Sequence, residues 1–344
     1  MPGTLQERTE TSVERVRETG GGPAQPLDFV FVLRPALMVP LWIFFAQGAR
    51  LASHRGWLFE TVVFPRIGEW LGLVSITGIL GGGYLLNQMV DVETDRLNDK
   101  LFFLSRGIIS MRSAAVELMM VWPASIAVAL LLGPAFLWAA VAALAFSVTY
   151  SVRPVRAKTR AGMDVLWNAA GFGLVAVLAG VAATGAGGPI PAGGSLVRYV
   201  SGSMLLSIGS YVAAVAGVTA STIVLDREGD ERMGLRTTAV AVGERGTSLA
   251  GVLLLAVAAV MGILSRDPVA VTGSFAALAL AVRAHARRDR ASRISANQLG
   301  VAAFGLAAAC FSPYILVLSG AVVLGSRTYY RRRFGFAYPG PGSR

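Results

Sequence analysis

The stretch Asn87-Gln-Met-Val-Asp91-Val-Glu-Thr-Asp95 follows directly on a long apolar segment. Its Asn87, Asp91 and Asp95 are four residues apart, so a helix places them on one face, one turn above the next. Carboxylates aligned in this way repel one another, and acids at the C-terminal end of a helix also oppose its dipole. The spacing therefore predicts a counter-charge at this place, and a divalent cation is the natural candidate.

A second acidic stretch, Asp226-Arg-Glu-Gly-Asp230, repeats the four-residue spacing. Aligning Asp91 with Asp226 also brings Asp95 onto Asp230, and each stretch lies where a long apolar segment ends. We call Asn87–Asp95 the first acidic motif and Asp226–Asp230 the second. The pattern predicts two carboxylate clusters at the edge of a membrane.

The composition fixes the broad class of the protein. The chain has 344 residues, of which 54% are hydrophobic and only 15% charged, and its mean hydropathy is +0.60. This predicts an all-α, polytopic membrane protein. The formal net charge of +11 comes from basic residues in short loops between apolar runs. That distribution is typical of topology signals and phosphate contacts, and it argues against a nucleic-acid partner.

The apolar runs predict about nine transmembrane helices, each long enough to cross a hydrocarbon core of about 30 Å. They form a membrane-embedded domain over residues 28–325. Residues 1–27 are predicted to be a disordered cytoplasmic tail and residues 326–344 a C-terminal tail, with Pro313 kinking the last helix. The predicted spans are 28–47, 69–90, 113–132, 134–151, 164–184, 198–225, 247–264, 268–286 and 298–325.

The distribution of basic residues predicts the orientation. The loops after the second, fourth, sixth and eighth spans contain most of the arginines and lysines, and the opposite loops contain few. The positive-inside rule therefore places both acidic motifs and the N-terminus on the cytoplasmic side of the cell membrane. With nine helices, Arg331, Arg332 and Arg333 are expected on the outside, against the same rule.

Two carboxylate clusters surrounded by arginine and lysine match the needs of a diphosphate. Magnesium is usually bound by one or two carboxylates together with substrate phosphates, and metal and basic side chains neutralise the charge on a departing diphosphate. From the spacing alone, three interpretations stay open: a metal–diphosphate site, carboxylate-dependent transport of ions or small solutes, and structural ion pairs.

The motifs carry a resemblance to a known family. The first acidic motif resembles the first aspartate-rich signature of the UbiA superfamily of intramembrane prenyltransferases, although Gln88 stands where many members have aspartate. Asp226–Asp230, with Gly234, Thr237, Thr238 and Gly243 after it, is similar to the second signature. The loop Tyr150-Ser-Val-Arg-Pro-Val-Arg-Ala-Lys158 resembles the tyrosine-to-lysine loop between them, although its lysine follows the tyrosine by eight residues.

The resemblance implies a bundle of about nine helices around a central cavity. It implies Mg²⁺-dependent transfer of a prenyl group from a polyprenyl diphosphate to an aromatic or lipid acceptor, through ionisation of the diphosphate and an allylic carbocation. Asn87, Asp91 and Asp95 would hold one Mg²⁺, and Asp226 and Asp230 a second. Arg34, Lys100, Arg153 and Lys158 are the expected phosphate contacts, with Tyr150 as a hydrogen-bond donor. Asn168 either reaches the cavity or forms an interhelical hydrogen bond.

Overall fold

Long helices make up most of the computed structural model, which describes residues 23–53, 65–97, 102–185, 201–336 and 338. Ten long helices lie within these residues: α1 (Pro26–Ser53), α2 (Ile67–Val90), α3 (Met111–Leu131), α4 (Pro134–Ser151), α5 (Met163–Gly185), α6 (Gly202–Ile223), α7 (Thr238–Ser265), α8 (Pro268–Arg287), α9 (Arg290–Ala309) and α10 (Tyr314–Phe334). The first eight are long and apolar enough to cross a membrane. The all-α, polytopic prediction is confirmed.

Helices α1 and α5 are interrupted, and α7 is kinked at the non-helical Gly243 (φ 81°). In α1, Arg34 adopts left-handed backbone geometry (φ 59°) between the helix Pro26–Phe31 and a 3₁₀ turn at Pro35–Met38. In α5, residues Ala169–Val175 form a π-helical segment. Such segments occur frequently at functional sites. Both breaks lie near residues that the sequence predicts to bind substrate.

Local sequence signals explain where several helices begin. The Ser110, Ser201 and Asp289 side chains accept hydrogen bonds from backbone N–H groups in the first turns of α3, α6 and α9. Pro134 and Pro268 occupy the first position of α4 and α8, where no backbone N–H is needed. These caps set short connections, so α3 and α4, and likewise α7 and α8, are antiparallel neighbours.

The helices pack in a closed order. Helix α1 packs against α5, α2 packs against α3 and α4, and α6 to α9 pack consecutively, with α9 returning to α1. Gly180 of α5 allows the closest approach, because a Cβ atom there would lie 1.9 Å from the carbonyl oxygen of Phe45 in α1. Many large apolar side chains face outward, among them Leu131 at 78% and Trp138 at 72% exposure. An apolar exterior of this kind is what a lipid-facing surface requires.

The C-terminal part differs from the prediction. The ninth predicted span, 298–325, falls across two helices, α9 and α10, which Pro313 separates completely. Pro313 has no backbone N–H and cannot continue α9. Tyr314 at the start of α10 packs on Trp70 at the start of α2, with ring centroids 5.5 Å apart. Arg333 at the other end of α10 pairs with Asp28 at the start of α1. Helix α10 thus runs the full length of the bundle.

This path corrects the expected position of the C-terminal arginines. Because Arg333 contacts Asp28, the end of α10 lies at the same face as the start of α1, and the expectation that it lies on the opposite face is wrong. The helix also continues to Phe334, beyond the boundary at residue 325. Residues 1–22 of the predicted N-terminal tail lie outside the described residues.

A second apolar cluster covers the end of the bundle that carries the acidic motifs, which we call the motif end. Phe31 of α1 stacks on Tyr329 of α10 with ring centroids 3.8 Å apart. Phe103, which follows the first acidic motif, packs edge-on against Tyr330 and Phe334. The last turns of α10 therefore join α1 to the loop after the first acidic motif.

Candidate active site

The first acidic motif is tied to the end of α4. Asn87, in the last turn of α2, accepts a hydrogen bond from the hydroxyl of Ser151 (3.0 Å), the last residue of α4. The Lys158 ammonium lies 2.5 Å from the same Asn87 Oδ1 and forms an ion pair with Oδ2 of Asp91. One ammonium group therefore joins the amide and carboxylate oxygens of two motif residues that are one helical turn apart.

Asp91 has a second basic partner. The Arg156 guanidinium lies 3.0 Å from Asp91 Oδ1, so the two carboxylate oxygens are held by different cations. Asp91 and Lys158 are each only 13% exposed. Burial lowers the pKa of the Lys158 ammonium, while the Asp91 carboxylate acts in the opposite direction. Asp95 is buried and also interacts electrostatically with Lys158.

The backbone explains why these side chains meet. Asp91 ends α2 with a non-helical ψ, and the chain then enters a short helix, Val92–Leu97. On the other side, Arg156 adopts left-handed geometry (φ 42°) just before the 3₁₀ turn Ala157–Thr159. That geometry is uncommon for a residue with a side chain. It turns the chain so that Arg156 and Lys158 both reach Asp91.

The second acidic motif begins where α6 ends. Asp226 precedes the short helix Arg227–Arg232, which carries Asp230. Thr237 donates a hydrogen bond of 2.9 Å to Asp230, and Gly234 (φ 68°) makes the turn between them. Asp226 and Asp230 are half-buried, which leaves their carboxylates within reach of a ligand.

Tyr150 and Ser151, the last two residues of α4, bring the motifs together. Ser151 is bonded to Asn87 of the first motif. The Tyr150 hydroxyl lies close enough to Asp226 and Asp230 of the second motif to interact with them electrostatically. Both motifs therefore flank one helix end. This arrangement could not be read from either motif alone, since the two motifs lie far apart in the sequence, with four of the long helices between them.

Asn168 and Arg34 lie on the same wall. Asn168, just before the π-helical segment of α5, lies close to Tyr150 and donates a hydrogen bond to the Asp164 carbonyl (2.8 Å). The Arg34 guanidinium lies over the Tyr84 ring, 5.7 Å from its centroid, and Tyr84 is in turn close to Tyr150. Arg34, Tyr84, Tyr150 and Asn168 thus form a loose row of polar groups between the break in α1 and the break in α5.

Of the remaining predicted residues, Lys100 lies outside the described residues. Arg153 is exposed and lines a cavity of about 730 Å³ together with Arg156, Arg160 and Arg236, which we call the arginine cavity. Gln88, where the family pattern often has aspartate, points away from the motif and donates to the Val32 carbonyl of α1 (2.7 Å).

Three contacts were missed in the sequence. Arg156 pairs with Asp91, Ser151 bonds Asn87, and buried Asp164 accepts hydrogen bonds from the backbone and side chain of Thr238 at the start of α7. Arg156 offered a signal, because it stands two residues before Lys158 in a loop already identified as basic. For the contact of Asp164 with Thr238, the sequence offered no signal except a charged residue at the start of an apolar run.

The donor set fits magnesium. Among the described residues, no three His, Cys, Asp or Glu side chains lie close enough to hold a metal ion by themselves. Magnesium does not require such a cage, because it is usually held by one or two carboxylates and by substrate phosphates. The Lys158 ammonium between Asn87 and Asp91 further shows that these two oxygens can share a cation.

Comparison with known proteins agrees with this geometry. The model of the UbiA prenyltransferase family matches residues 51–298. No curated protein matches the sequence. A UbiA homologue from Archaeoglobus fulgidus, solved bound to GPP and Mg²⁺, is similar in structure, with 23% identity, TM-score 0.62 and coverage of 85% of this chain and 99% of the homologue.

Two other solved structures are similar. An apo UbiA homologue from Aeropyrum pernix K1 has 20% identity and TM-score 0.62, with 83% of this chain and 97% of the homologue covered. A digeranylgeranylglyceryl phosphate synthase has 14% identity and TM-score 0.60, with 84% and 98% covered. At these identities the similarity establishes a common fold.

Proposed function

The chain belongs to the UbiA prenyltransferase family, and from this premise we propose that it transfers a prenyl group from a polyprenyl diphosphate to an aromatic or lipid acceptor, using two Mg²⁺ ions. The observation that carries the proposal is the position of both acidic motifs beside the end of α4: Ser151 donates a hydrogen bond to Asn87, and Tyr150 lies within electrostatic range of Asp226 and Asp230. The structural relatives bound to GPP or DMAPP with Mg²⁺ support the substrate class.

The acidic residues have the role of metal ligands in this proposal. Asn87, Asp91 and Asp95 would hold one Mg²⁺, and Asp226 and Asp230 would hold the other, together with the diphosphate of the substrate. When bound, the metal neutralises the charge that grows on the leaving diphosphate. Thr237 holds the Asp230 carboxylate in position through its hydrogen bond of 2.9 Å.

The basic residues have two successive partners. Without substrate, Lys158 and Arg156 neutralise Asp91. When the diphosphate and metal bind, we expect Lys158 to exchange Asp91 for a phosphate oxygen, because the metal then neutralises the carboxylate. Arg34 binds the diphosphate from the other side of the row, and Tyr150 donates a hydrogen bond to it. The prenyl tail extends among the apolar helices, which exclude water from the carbocation.

The location follows from the same residues. The basic loops lie at the motif end, and the path of α10 adds Arg331, Arg332 and Arg333 to that end. The positive-inside rule therefore favours a cytoplasmic motif end in the cell membrane.

Incubation of the purified protein with Mg²⁺, labelled geranylgeranyl diphosphate and a host lipid extract tests the proposal. A labelled, mass-identified product and free diphosphate are expected. Asp91→Asn and Asp226→Asn should each lower turnover at least about a hundred-fold, as expected when transition-state charge stabilisation is lost. The matched control is Asp289→Asn, at the exposed first turn of α9, which should keep full activity. Unchanged turnover in both motif variants would refute the metal assignment. Flux of an ion without any prenylated product would favour a transporter.

A further inference from the structure

The arginine cavity lies beside the candidate active site, and of its arginines only Arg156 has a contact used in the proposed reaction. It has a volume of about 730 Å³ and is open to the surface at the motif end. Four arginines line it: Arg153, Arg156 and Arg160 from the loop after α4, and Arg236 from the turn after the second acidic motif. None of the described residues lining it is acidic.

The convergence of these arginines is a product of folding. The backbones of Arg160 and Arg236 are joined in an isolated parallel β-bridge, although the two residues lie far apart in sequence. The positive-inside rule requires only that basic residues lie in the cytoplasmic loops, and it does not require arginines from different loops to lie close together. Guanidinium groups brought together repel one another, and among the described residues only Arg156 of these four pairs with a carboxylate. The fold therefore maintains a concentration of positive charge that an anion would relieve.

The hydrogen-bonding capacity of the cavity is also incompletely used. One terminal nitrogen of Arg156 pairs with Asp91, but the Nε atom of Arg156 is buried without a hydrogen-bond partner. A buried donor without an acceptor is unfavourable by about 1–3 kcal/mol. Within the described part of the chain, Arg153, Arg160 and Arg236 make no ion pair with a carboxylate. Fork-shaped guanidinium groups with free donors are well suited to phosphate oxygens.

We propose that the arginine cavity is a second oxyanion site, which binds a phosphate or diphosphate group next to the metal–diphosphate site. Arg156 forms the wall between the two, because it lines the cavity and also holds Asp91. A ligand in the cavity therefore competes for the same guanidinium that neutralises the first acidic motif. The phosphate comes either from free diphosphate on its way out or from the head group of a membrane lipid.

Binding of inorganic diphosphate to the purified protein in a neutral detergent, measured by calorimetry in EDTA, tests the site. Without Mg²⁺ the acidic motifs repel diphosphate, so the signal comes from the basic residues. The double variant Arg160→Gln/Arg236→Gln should weaken binding about ten-fold or more, as expected for lost charge-assisted hydrogen bonds. The exposed Arg290→Gln, at the same end of the bundle, is the matched control and should bind normally. Native-like binding by the double variant would overturn the proposal.

A second arm distinguishes the two sources. Native mass spectrometry of the same proteins, with phosphatidylglycerol or phosphatidylcholine added, counts bound lipid. When diphosphate binding is weakened, a parallel loss of retained phosphatidylglycerol in the double variant identifies a lipid head group, and unchanged lipid retention identifies the free anion. Loss of neither, or no anion binding to the native protein, contradicts the proposal. Neither arm depends on prenyl transfer, so failure here is distinguishable from failure of the proposed function.

Discussion

Lys158→Met provides the sharpest test of how the site changes between its free and loaded states. The Lys158 ammonium contacts Asn87 Oδ1 at 2.5 Å and pairs with Asp91, and both side chains of the pair are only 13% exposed. Methionine keeps the apolar length of the side chain and removes the charge. If Lys158 occupies the position of a cation in the free protein and binds phosphate in the complex, the substitution should change two affinities in opposite directions.

The magnitudes follow from these contacts. A hydrogen bond to a charged group contributes about 1.5–3 kcal/mol, so loss of the phosphate contact should weaken prenyl diphosphate binding about 10- to 150-fold. In the free protein, Mg²⁺ competes with Lys158 for Asn87 and Asp91. Removing that competitor should strengthen Mg²⁺ binding about 5- to 30-fold, taking about 1–2 kcal/mol for a partly buried pair.

Two titrations measure these affinities: Mg²⁺ into the free protein, and an unreactive prenyl diphosphate analogue into the Mg²⁺-saturated protein. Arg290→Gln, which removes an exposed charge at the same end, should alter neither. Weaker Mg²⁺ binding by Lys158→Met would mean that the lysine organises the metal site and does not compete with the ion. Unchanged binding of the analogue would exclude Lys158 from phosphate recognition.

Three further predictions concern packing and ion pairs. Arg50→Met should lower the free energy of unfolding by about 3–5 kcal/mol, because it leaves the buried Asp267 carboxylate without its cation at 2.6 Å. The double variant Arg50→Met/Asp267→Asn should recover part of that loss, as measured by unfolding in detergent. Gly180→Ala should lower the melting temperature and separate α1 from α5, since the added Cβ would meet the α1 backbone. Gly320→Ala, with open space around it, should be neutral. Equal melting temperatures of the two variants would contradict the close approach of α1 and α5. Arg333→Gln should destabilise the packing of α10 on α1 at the motif end, because its two bonds to buried Asp28 are lost. Proteolytic cleavage near the C-terminus should therefore increase. Unchanged cleavage would argue that the Arg333–Asp28 pair does not hold α10 in place.

The sequence predicted the features that depend on local pattern. Apolar runs of sufficient length placed the first eight spans close to their observed positions, because a membrane forces such runs into helices. The four-residue spacing placed Asn87 and Asp91 on one face, and both contact Lys158 in the structure. The sequence also predicted basic residues near the acidic motifs, and Arg156 and Lys158 of the loop after α4 form ion pairs with Asp91.

Features that depend on distant contacts could not be predicted in this way. Helix α10 carries several arginines and tyrosines in its last turns, so hydropathy alone ended the span early. Those polar residues are stabilised by Asp28, about 300 residues away in sequence. Similarly, Arg153 appeared equivalent to Lys158 in the linear motif. Only the turn at Arg156 sends Lys158 to Asp91 and Arg153 to the arginine cavity.

The pairing of α10 with Asp28 has a consequence for biosynthesis. Asp28 is completely enclosed, and its carboxylate is bonded by Tyr329 and Arg333. The ribosome makes Asp28 long before it makes these two partners. Until translation has passed through α10, the growing polypeptide therefore carries the Asp28 carboxylate at the membrane interface without these two partners. A product cut short before Arg333 would retain the Asp28 carboxylate without its cation, and an unpaired buried charge of this kind is strongly destabilising.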